Sequence, residues 1–270
     1  MRLYIVCHDE STYEKTKRLC VRWESEFEIA NKVRKETKEQ NTDVHGQGSI
    51  QGPSLGPSQR LKASPILVPD SKFFDHAVYG ILLEEIVKQD WIDEDYVGIV
   101  SYLKVEEHER IKNINWFKFL NMAIKEDLDF LSLYNTEFKK GRDTLPMIEA
   151  SVHKYGLRFY RAWVGLLEAM EISREMIECE YILNILSHDC HIFKPNMMEQ
   201  FCKFFLTGVN FLQNDATLNK LFECIPRIPD HDSFPMENSM QYLVFDRLRT
   251  FFFYTIQARM GSIMKEIEEF

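Results

Sequence analysis

The side chains best suited to chemistry form a few short acidic and histidine-containing groups. One is Asp127-Leu128-Asp129, which begins a strand predicted over residues 127–134. On an extended chain, side chains two residues apart point to the same side, so these carboxylates could share a hard divalent cation. The alternative is a charged, exposed start of the strand that binds no ligand. On the first of these two interpretations, the pair is a candidate site for Mn²⁺ or Mg²⁺.

A denser group is His188-Asp189-Cys190-His191, which interrupts an extended piece predicted over residues 183–193, before a helix predicted to start at Pro195. Asp189 is a candidate general base or metal ligand, because a carboxylate can accept a proton or bind a cation. The alternative is a polar turn that precedes the helix and has no catalytic role.

Two further charged pairs each have two interpretations. Asp246-Arg247 lies mid-helix among aromatic residues. It can be a structural ion pair, or it can supply a carboxylate base and a guanidinium for a diphosphate. His8-Asp9 follows the first predicted strand, where it either caps the next helix or contacts a nucleotide.

These side chains need a scaffold, and the stretch from Trp91 to Tyr102 is its predicted centre. The continuous apolar run from Tyr96 to Val100 indicates a strand that is buried on both faces, as in a parallel sheet. Ser101 and Tyr102 follow at its carboxyl end, where open α/β sheets bind ligands. We therefore expect these two residues to form the floor of an active site.

The other predicted elements surround this strand. Strands at 3–7 and 65–69 precede it, and each is followed by a predicted helix, at 12–30 and 72–89. This order predicts a parallel sheet with helical crossovers. Residues 31–64 hold four of the eleven glycines and few apolar residues, which predicts an exposed, mobile loop. The second half is mainly helical, with a short extended piece: helices at 149–178, 195–213 and 238–264, and the extended piece at 183–193.

Composition narrows the class of protein. The net charge of −9 argues against sequence-independent nucleic-acid binding, which needs a basic surface. The six cysteines contain no Cys-x-x-Cys pair, which predicts free thiols in a reducing compartment. The N-terminal apolar run is too short for a signal peptide, and no run approaches the roughly 18 apolar residues of a membrane span. We expect a cytoplasmic protein without a membrane span.

The order of these segments resembles the nucleotide-sugar-dependent glycosyltransferases of the GT-A fold. The resemblance is strongest to the small glycosyltransferase domains of large algal viruses and of capsular-polysaccharide synthesis proteins. The segments that carry it are 3–7, 65–79 (PILVPDSKFFDHAVY), 91–102 (WIDEDYVGIVSY), 153–167 (HKYGLRFYRAWVGLL), 188–201 (HDCHIFKPNMMEQF) and 241–252 (QYLVFDRLRTFF). It implies one α/β domain with a mostly parallel, Rossmann-like sheet flanked by helices. Residues 1–135 would bind the donor, and residues 145–270 would form a helix-rich acceptor-side half.

The resemblance also implies a reaction. The enzyme would move a hexose or pentose from a nucleoside-diphosphate sugar to a glycan or another hydroxyl acceptor, with a divalent metal as a candidate cofactor. Asp189 and Asp246 would be catalytic. The other implied residues are His8, Asp9, Ser101, Tyr102 and Arg247 on the donor side, His153, His188 and His191 on the acceptor side, and Asp127 and Asp129 for the metal.

Two other functions fit parts of the sequence. One is a metal-dependent phosphohydrolase of the His-Asp type, with His153 upstream of a later aspartate. That fold is wholly helical, so the predicted strands at 3–7 and 95–100 argue against it. The other is an α/β module that binds a sugar or a partner without catalysis. Binding of a nucleotide sugar without turnover would distinguish this module from a transferase.

Overall fold

The structure of the chain is a computed structural model. It includes residues from most of the helices and strands that the sequence predicts. The described residues are 1–7, 9–42, 61–68, 78–84, 91, 96–102, 122–123, 125–132, 135–137, 139–140, 143–144, 146–177, 184–186, 190–223, 239–255 and 260–262. Of the predicted site residues, His8, His188 and Asp189 lie outside this part of the chain.

A six-stranded mixed sheet forms the middle of the fold. Its strands are β1 (Arg2–Cys7), β2 (Lys62–Leu67), β3 (Val97–Ser101), β4 (Phe130–Ser132), β5 (Cys190–Phe193) and β6 (Met260–Ser262), in the spatial order β6-β4-β5-β3-β1-β2. β1 pairs in parallel with β2 and β3, and β4 pairs in parallel with β6. β5 is antiparallel to both of its neighbours, β3 and β4. Five strands therefore share one direction, and β5 runs the opposite way between them.

The predicted parallel arrangement is confirmed for β1, β2 and β3, and the strand predicted at 96–100 is β3, buried along its whole length. The sheet is mostly parallel, as expected, and β5 is its one described antiparallel strand. β5 inserts between β3 and β4, and no local pattern in its four residues specifies which strands it joins. Two short ribbons complete the described strands: Asn135–Glu137 with Asn184–Leu186, and Lys139–Lys140 with Asp143–Thr144.

Seven helices are described: α1 (Glu10–Thr42), α2 (Met147–Tyr155), α3 (Leu157–Ala169), α4 (Arg174–Ile177), α5 (Pro195–Asn214), α6 (Ala216–Glu223) and α7 (Ser239–Thr255), together with a helical segment at 78–84. α5 confirms the predicted start, because Pro195 has no backbone N–H and suits the first turn of a helix. The predicted helical region 149–178 is confirmed as α2, α3 and α4.

Three predicted boundaries were wrong. The helix predicted to end near residue 30 continues to Thr42, so residues 31–42 are helical and do not belong to a loop. The strand predicted over 127–134 is described only at Phe130–Ser132, because Asp127 has a φ of 50° and lies in a turn. The predicted C-terminal helix ends at Thr255, and Met260–Ser262 form strand β6.

The sheet has a hydrophobic cluster on each face. One face packs against α2, α3, α5, α6 and α7, with Tyr4, Val6, Val97 and Ile99 contributed by the strands. The other face packs against α1, through Cys20 and Trp23 of that helix. Glu24 of α1 also accepts a hydrogen bond from the Ala63 backbone N–H (2.7 Å), which satisfies one donor of the edge strand β2.

This layered arrangement is an α/β fold, so the wholly helical phosphohydrolase fold does not apply. None of the helices in the described part of the chain is long and apolar enough to cross a membrane.

Candidate functional site

The carboxyl ends of the parallel strands and the start of β5 lie at one edge of the sheet. β1 ends at Cys7, β3 at Ser101 and β4 at Ser132. Because β5 is antiparallel, its first residue, Cys190, is the one that pairs near this edge, opposite Val100. We call this the carboxyl edge. In open α/β sheets, ligands bind outside the carboxyl ends of the strands.

Ser101 and Tyr102 lie at this edge, as the sequence predicted. Ser101 is the last residue of β3 and pairs with Val6 of β1. Both residues are buried, and Tyr102 belongs to the hydrophobic cluster beside α1. The end of β3 is therefore buried, and an active-site floor at this position stays a prediction.

His191 and Ser132 form a buried polar pair beside the same edge. They are direct partners across β5 and β4, and paired residues of adjacent strands share one face of the sheet. His191 is 1% exposed, and its ring lies 5.2 Å from the Phe130 ring and 5.8 Å from the Phe193 ring, between ring centroids. This burial corrects the prediction that His191 contacts an acceptor directly, since the imidazole lies beneath the surface that an acceptor reaches.

Asp9 acts as a helix cap in this structure. Its Oδ1 accepts a hydrogen bond from the Thr12 backbone N–H (2.8 Å), and the Thr12 hydroxyl donates to the Asp9 carbonyl oxygen (2.9 Å). The hydrogen bond from the Thr12 backbone is the main reason that the pKa of the Asp9 carboxyl is lowered. Of the two interpretations of His8-Asp9, the described contacts support the cap for Asp9.

Arg247 lies inside the helical layer. It is 2% exposed, and its Nε donates to the Ser151 hydroxyl oxygen at 2.6 Å. Its guanidinium carbon lies 5.3 Å from the Tyr155 ring centroid and 5.2 Å from that of Phe159, both suitable for cation–π contact. This geometry corrects the prediction that Arg247 binds a donor diphosphate, because the guanidinium joins α7 to α2 and α3. Asp246 lies on the same helix, α7.

Asp127 and Asp129 lie at the opposite edge of the sheet. Asp129 immediately precedes β4, and Lys194 immediately follows β5, so the antiparallel pairing brings them together. Lys194 Nζ lies 2.7 Å from Asp127 Oδ1 and 2.9 Å from Asp129 Oδ1. Burial lowers the pKa of the Lys194 ammonium, but hydrogen bonds to both carboxylates outweigh this effect and raise it overall. A lysine ammonium thus occupies the position between the carboxylates that a metal ion was predicted to take.

The remaining predicted residue in the described part, His153, is exposed on α2, where it is free of the core. No group of three or more His, Cys, Asp or Glu side chains in the described residues is arranged to hold a metal ion.

Sequence reasoning missed three residues that the tertiary structure makes prominent: Lys194, Ser132 and Tyr96. The Tyr96 hydroxyl lies 2.9 Å from the Ala123 carbonyl oxygen and 3.1 Å from that of Leu128, and donates to them. Tyr96 and Ser132 were included in predicted strands, and Lys194 lay between a predicted extended piece and a predicted helix. Only the spatial pairing of β3, β4 and β5 gives them their roles.

Comparison of the chain with protein-family models, curated proteins and solved structures finds no match. The functional inference therefore rests on the carboxyl edge and the residues around it.

Proposed function

We propose that the protein is a glycosyltransferase that moves a sugar from a nucleoside-diphosphate sugar to a hydroxyl of a glycan or similar acceptor. The observation that carries the proposal is the composition of the carboxyl edge. Ser101 ends β3 there and Tyr102 follows it, Asp9 lies two residues after β1, and Cys190, the residue after Asp189, pairs with Val100. Residues from three of the segments that resemble glycosyltransferases thus belong to strands whose ends lie at the edge where α/β sheets bind ligands.

The reaction needs a base, a means of neutralising the diphosphate, and a fixed pose for the sugar. Asp189 is the proposed base, because it directly precedes β5 in the sequence. Asp246 is the second carboxylate in the proposal. Lys194 already forms ion pairs with both Asp127 and Asp129. If Mn²⁺ or Mg²⁺ takes part, Asp189 is therefore the ligand to test first.

The proposal assigns the two substrates to different residues. His8, Ser101 and Tyr102 are assigned to the donor, and His153 and His188 are assigned to the acceptor. His153 is exposed and is therefore accessible to a large glycan in the structure as described. A cytoplasmic location and a role in glycan synthesis, as in the viral and capsular proteins that the sequence resembles, belong to the same proposal.

A panel of UDP-, GDP- and TDP-sugars tests donor binding, with and without Mn²⁺. A ligand present at 100 times its Kd stabilises the folded state by about 2.7 kcal/mol. At about 2–4 °C per kcal/mol for chains near this size, the correct donor should raise Tm by roughly 5 °C or more. Release of free sugar or nucleotide measures slow hydrolysis in the same samples. Neither a thermal shift nor hydrolysis with any donor would reject the proposal.

Asp189→Ala tests the mechanism. We expect transfer to fall by roughly 10²–10⁴-fold, the usual contribution of a general base, with Tm unchanged. Glu168→Gln is the matched control, because this exposed carboxylate lies on α3 away from the core. Full activity of Asp189→Ala would remove Asp189 from the mechanism. Donor binding by the wild type without any turnover would identify a non-catalytic sugar-binding module instead.

A further inference from the structure

The reversed strand β5 is anchored at the end that lies far from the candidate site. Lys194 is the corner between β5 and α5: it directly follows Phe193, and it is the residue before the first turn of α5. Its backbone N–H donates to the Asp129 carbonyl oxygen (3.0 Å), while its ammonium contacts the carboxylates of Asp127 and Asp129. One residue therefore fixes both the backbone and the side chain of this corner to the turn before β4.

The same turn is fixed to β3. Tyr96, which directly precedes β3, donates its hydroxyl to the carbonyl oxygens of Ala123 and Leu128, and the Leu128 backbone N–H donates to the Ala123 carbonyl (2.9 Å). Tyr96 is buried, so these hydrogen bonds are shielded from water. The turn at 127–129 thus connects the start of β3, the start of β4 and the end of β5, the three strands at the centre of the sheet. We call this group of Tyr96, Asp127, Leu128, Asp129 and Lys194 the anchor.

The register of β5 determines which side chains it places beside the carboxyl edge. A shift by one residue would turn every side chain of β5 to the other face of the sheet, moving His191 away from Ser132 and into the cluster beside α1. β5 has only four residues, so few ladder hydrogen bonds oppose such a shift. Those four residues span about 13 Å, so Lys194 cannot reach a ligand at the carboxyl edge and can act there only through the strand.

We infer that Lys194, held by Asp127 and Asp129, is a positioning residue that fixes the register of β5 and thereby the placement of His191 beside Ser132 at the carboxyl edge. The two aspartates, in this inference, hold a lysine ammonium in place of a metal ion. The consequence for catalysis rests on the proposed function, whereas the anchoring of β5 does not.

Amide hydrogen exchange measures the anchoring directly. The ion pair with the partly buried Asp129, together with the weaker pair with the mostly exposed Asp127, predicts that Lys194→Met raises exchange at residues 190–193 by about fivefold, with no matching change in β1. Lys194→Arg keeps the charge and should restore most of the protection. The matched control is Lys203→Met, which breaks the exposed ion pair of Lys203 with Glu199 on α5 and should leave β5 unchanged.

Asp127→Asn provides a second, milder variant if Lys194→Met does not fold, since it removes one carboxylate and leaves Asp129 in place. It should raise exchange in β5 by a smaller factor. Unchanged exchange in β5 would overturn the inference, and so would an equal increase in β5 and β1, because that would indicate general destabilisation only.

Kinetics separate this inference from the proposed function. If the wild type transfers sugar, Lys194→Met should lower kcat by roughly tenfold and change the donor KM by less than about twofold, because the proposed donor residues end or follow β1 and β3 in the chain, not β5. A changed KM with unchanged kcat would contradict the positioning role. If the wild type shows no transfer with any donor, the proposed function fails, and the exchange experiment alone decides whether Lys194 anchors β5.

Discussion

Three glycines in helical segments provide a graded test of how tightly the helical layer is packed. A Cβ atom added at Gly208 of α5 would lie 2.5 Å from Leu248 Cδ2 of α7 and 3.2 Å from Met170 Sδ. One added at Gly165 of α3 would lie 3.2 Å from Leu218 Cδ2 of α6, and one added at Gly80 would meet nothing within 4 Å. Replacement by alanine therefore introduces the same methyl group into three environments of decreasing crowding.

The expected magnitudes follow from two opposing effects. Alanine in a helix interior is favoured over glycine by about 1 kcal/mol, and this gain applies to all three sites. At Gly208 the new methyl must displace a fully buried leucine, and overpacking of this kind costs about 1–3 kcal/mol. The helix gain cancels in the comparison, so Gly208→Ala should be less stable than Gly80→Ala by about 1–3 kcal/mol. Gly165→Ala should lie between them.

Equilibrium unfolding in urea, followed by circular dichroism, measures the free energies of unfolding, and thermal unfolding provides an independent order of Tm values. Because 1 kcal/mol corresponds to about 2–4 °C, the Tm values of Gly208→Ala and Gly80→Ala should differ by several degrees. The double variant Gly208→Ala/Leu248→Val removes the crowded Cδ2 atom. It should lose less stability than the sum of its single changes, with a coupling energy of roughly 0.5–3 kcal/mol.

Equal stability of Gly208→Ala and Gly80→Ala would refute the close approach of α5 and α7. Strict additivity in the double variant would show that any loss at Gly208 has a cause other than the Leu248 side chain.

Two further predictions concern titrating groups. Asp9→Ala should lower Tm at pH 7, and Asp9→Asn should lower it less, because asparagine also caps helices. The pKa of the Asp9 carboxyl is lower in the folded state than its unfolded value of about 3.9, so the carboxylate stabilises the folded state above that pH. This stabilisation is lost as the pH falls through the pKa of the folded state, so the Tm difference between Asp9→Ala and the wild type should shrink below about pH 4. A Tm difference that does not change with pH would contradict the capping role. Burial, the largest cause, raises the pKa of the Cys20 thiol to about 12 and also raises those of Cys7 and Cys202, so a thiol reagent at pH 8 should label these three only in unfolded protein. Rapid labelling of any of them in native protein, located by mass spectrometry, would contradict their burial.

Local patterns in the sequence were sufficient for the central strand and for several helices. The run at 96–100 contains no charged or strongly polar side chain that would favour exposure to water, so it forms a strand that is buried on both faces. Pro195 and the apolar spacing after it predicted a helix over residues 195–213, and α5 starts at Pro195 and ends one residue later than predicted. The same patterns failed at the end of α1 and at 127–129, where the helix continues through a polar sequence and the chain turns at Asp127.

Among the candidate site residues, the sequence identified Ser101 and Tyr102 at the carboxyl end of β3, since that assignment needs only the strand and its direction. It could not determine that Arg247 is buried against Ser151, because the partner lies 96 residues away in the chain. Nor could it show that His191 lies in the core, because a histidine between apolar residues looks the same in a buried strand and in a polar turn.

The sequence by itself determined the α/β class, the central strand and the residues that end it, because these depend on hydrophobic runs and helix-start signals a few residues long. Only the tertiary structure decided the direction of β5. This direction brings Lys194 to Asp127 and Asp129. Lys194 is 65 residues from Asp129 in the chain, yet their charged groups are 2.9 Å apart. The physical reason is that strand pairing is set by the packing of the whole sheet, and an antiparallel strand brings together residues that no local pattern relates.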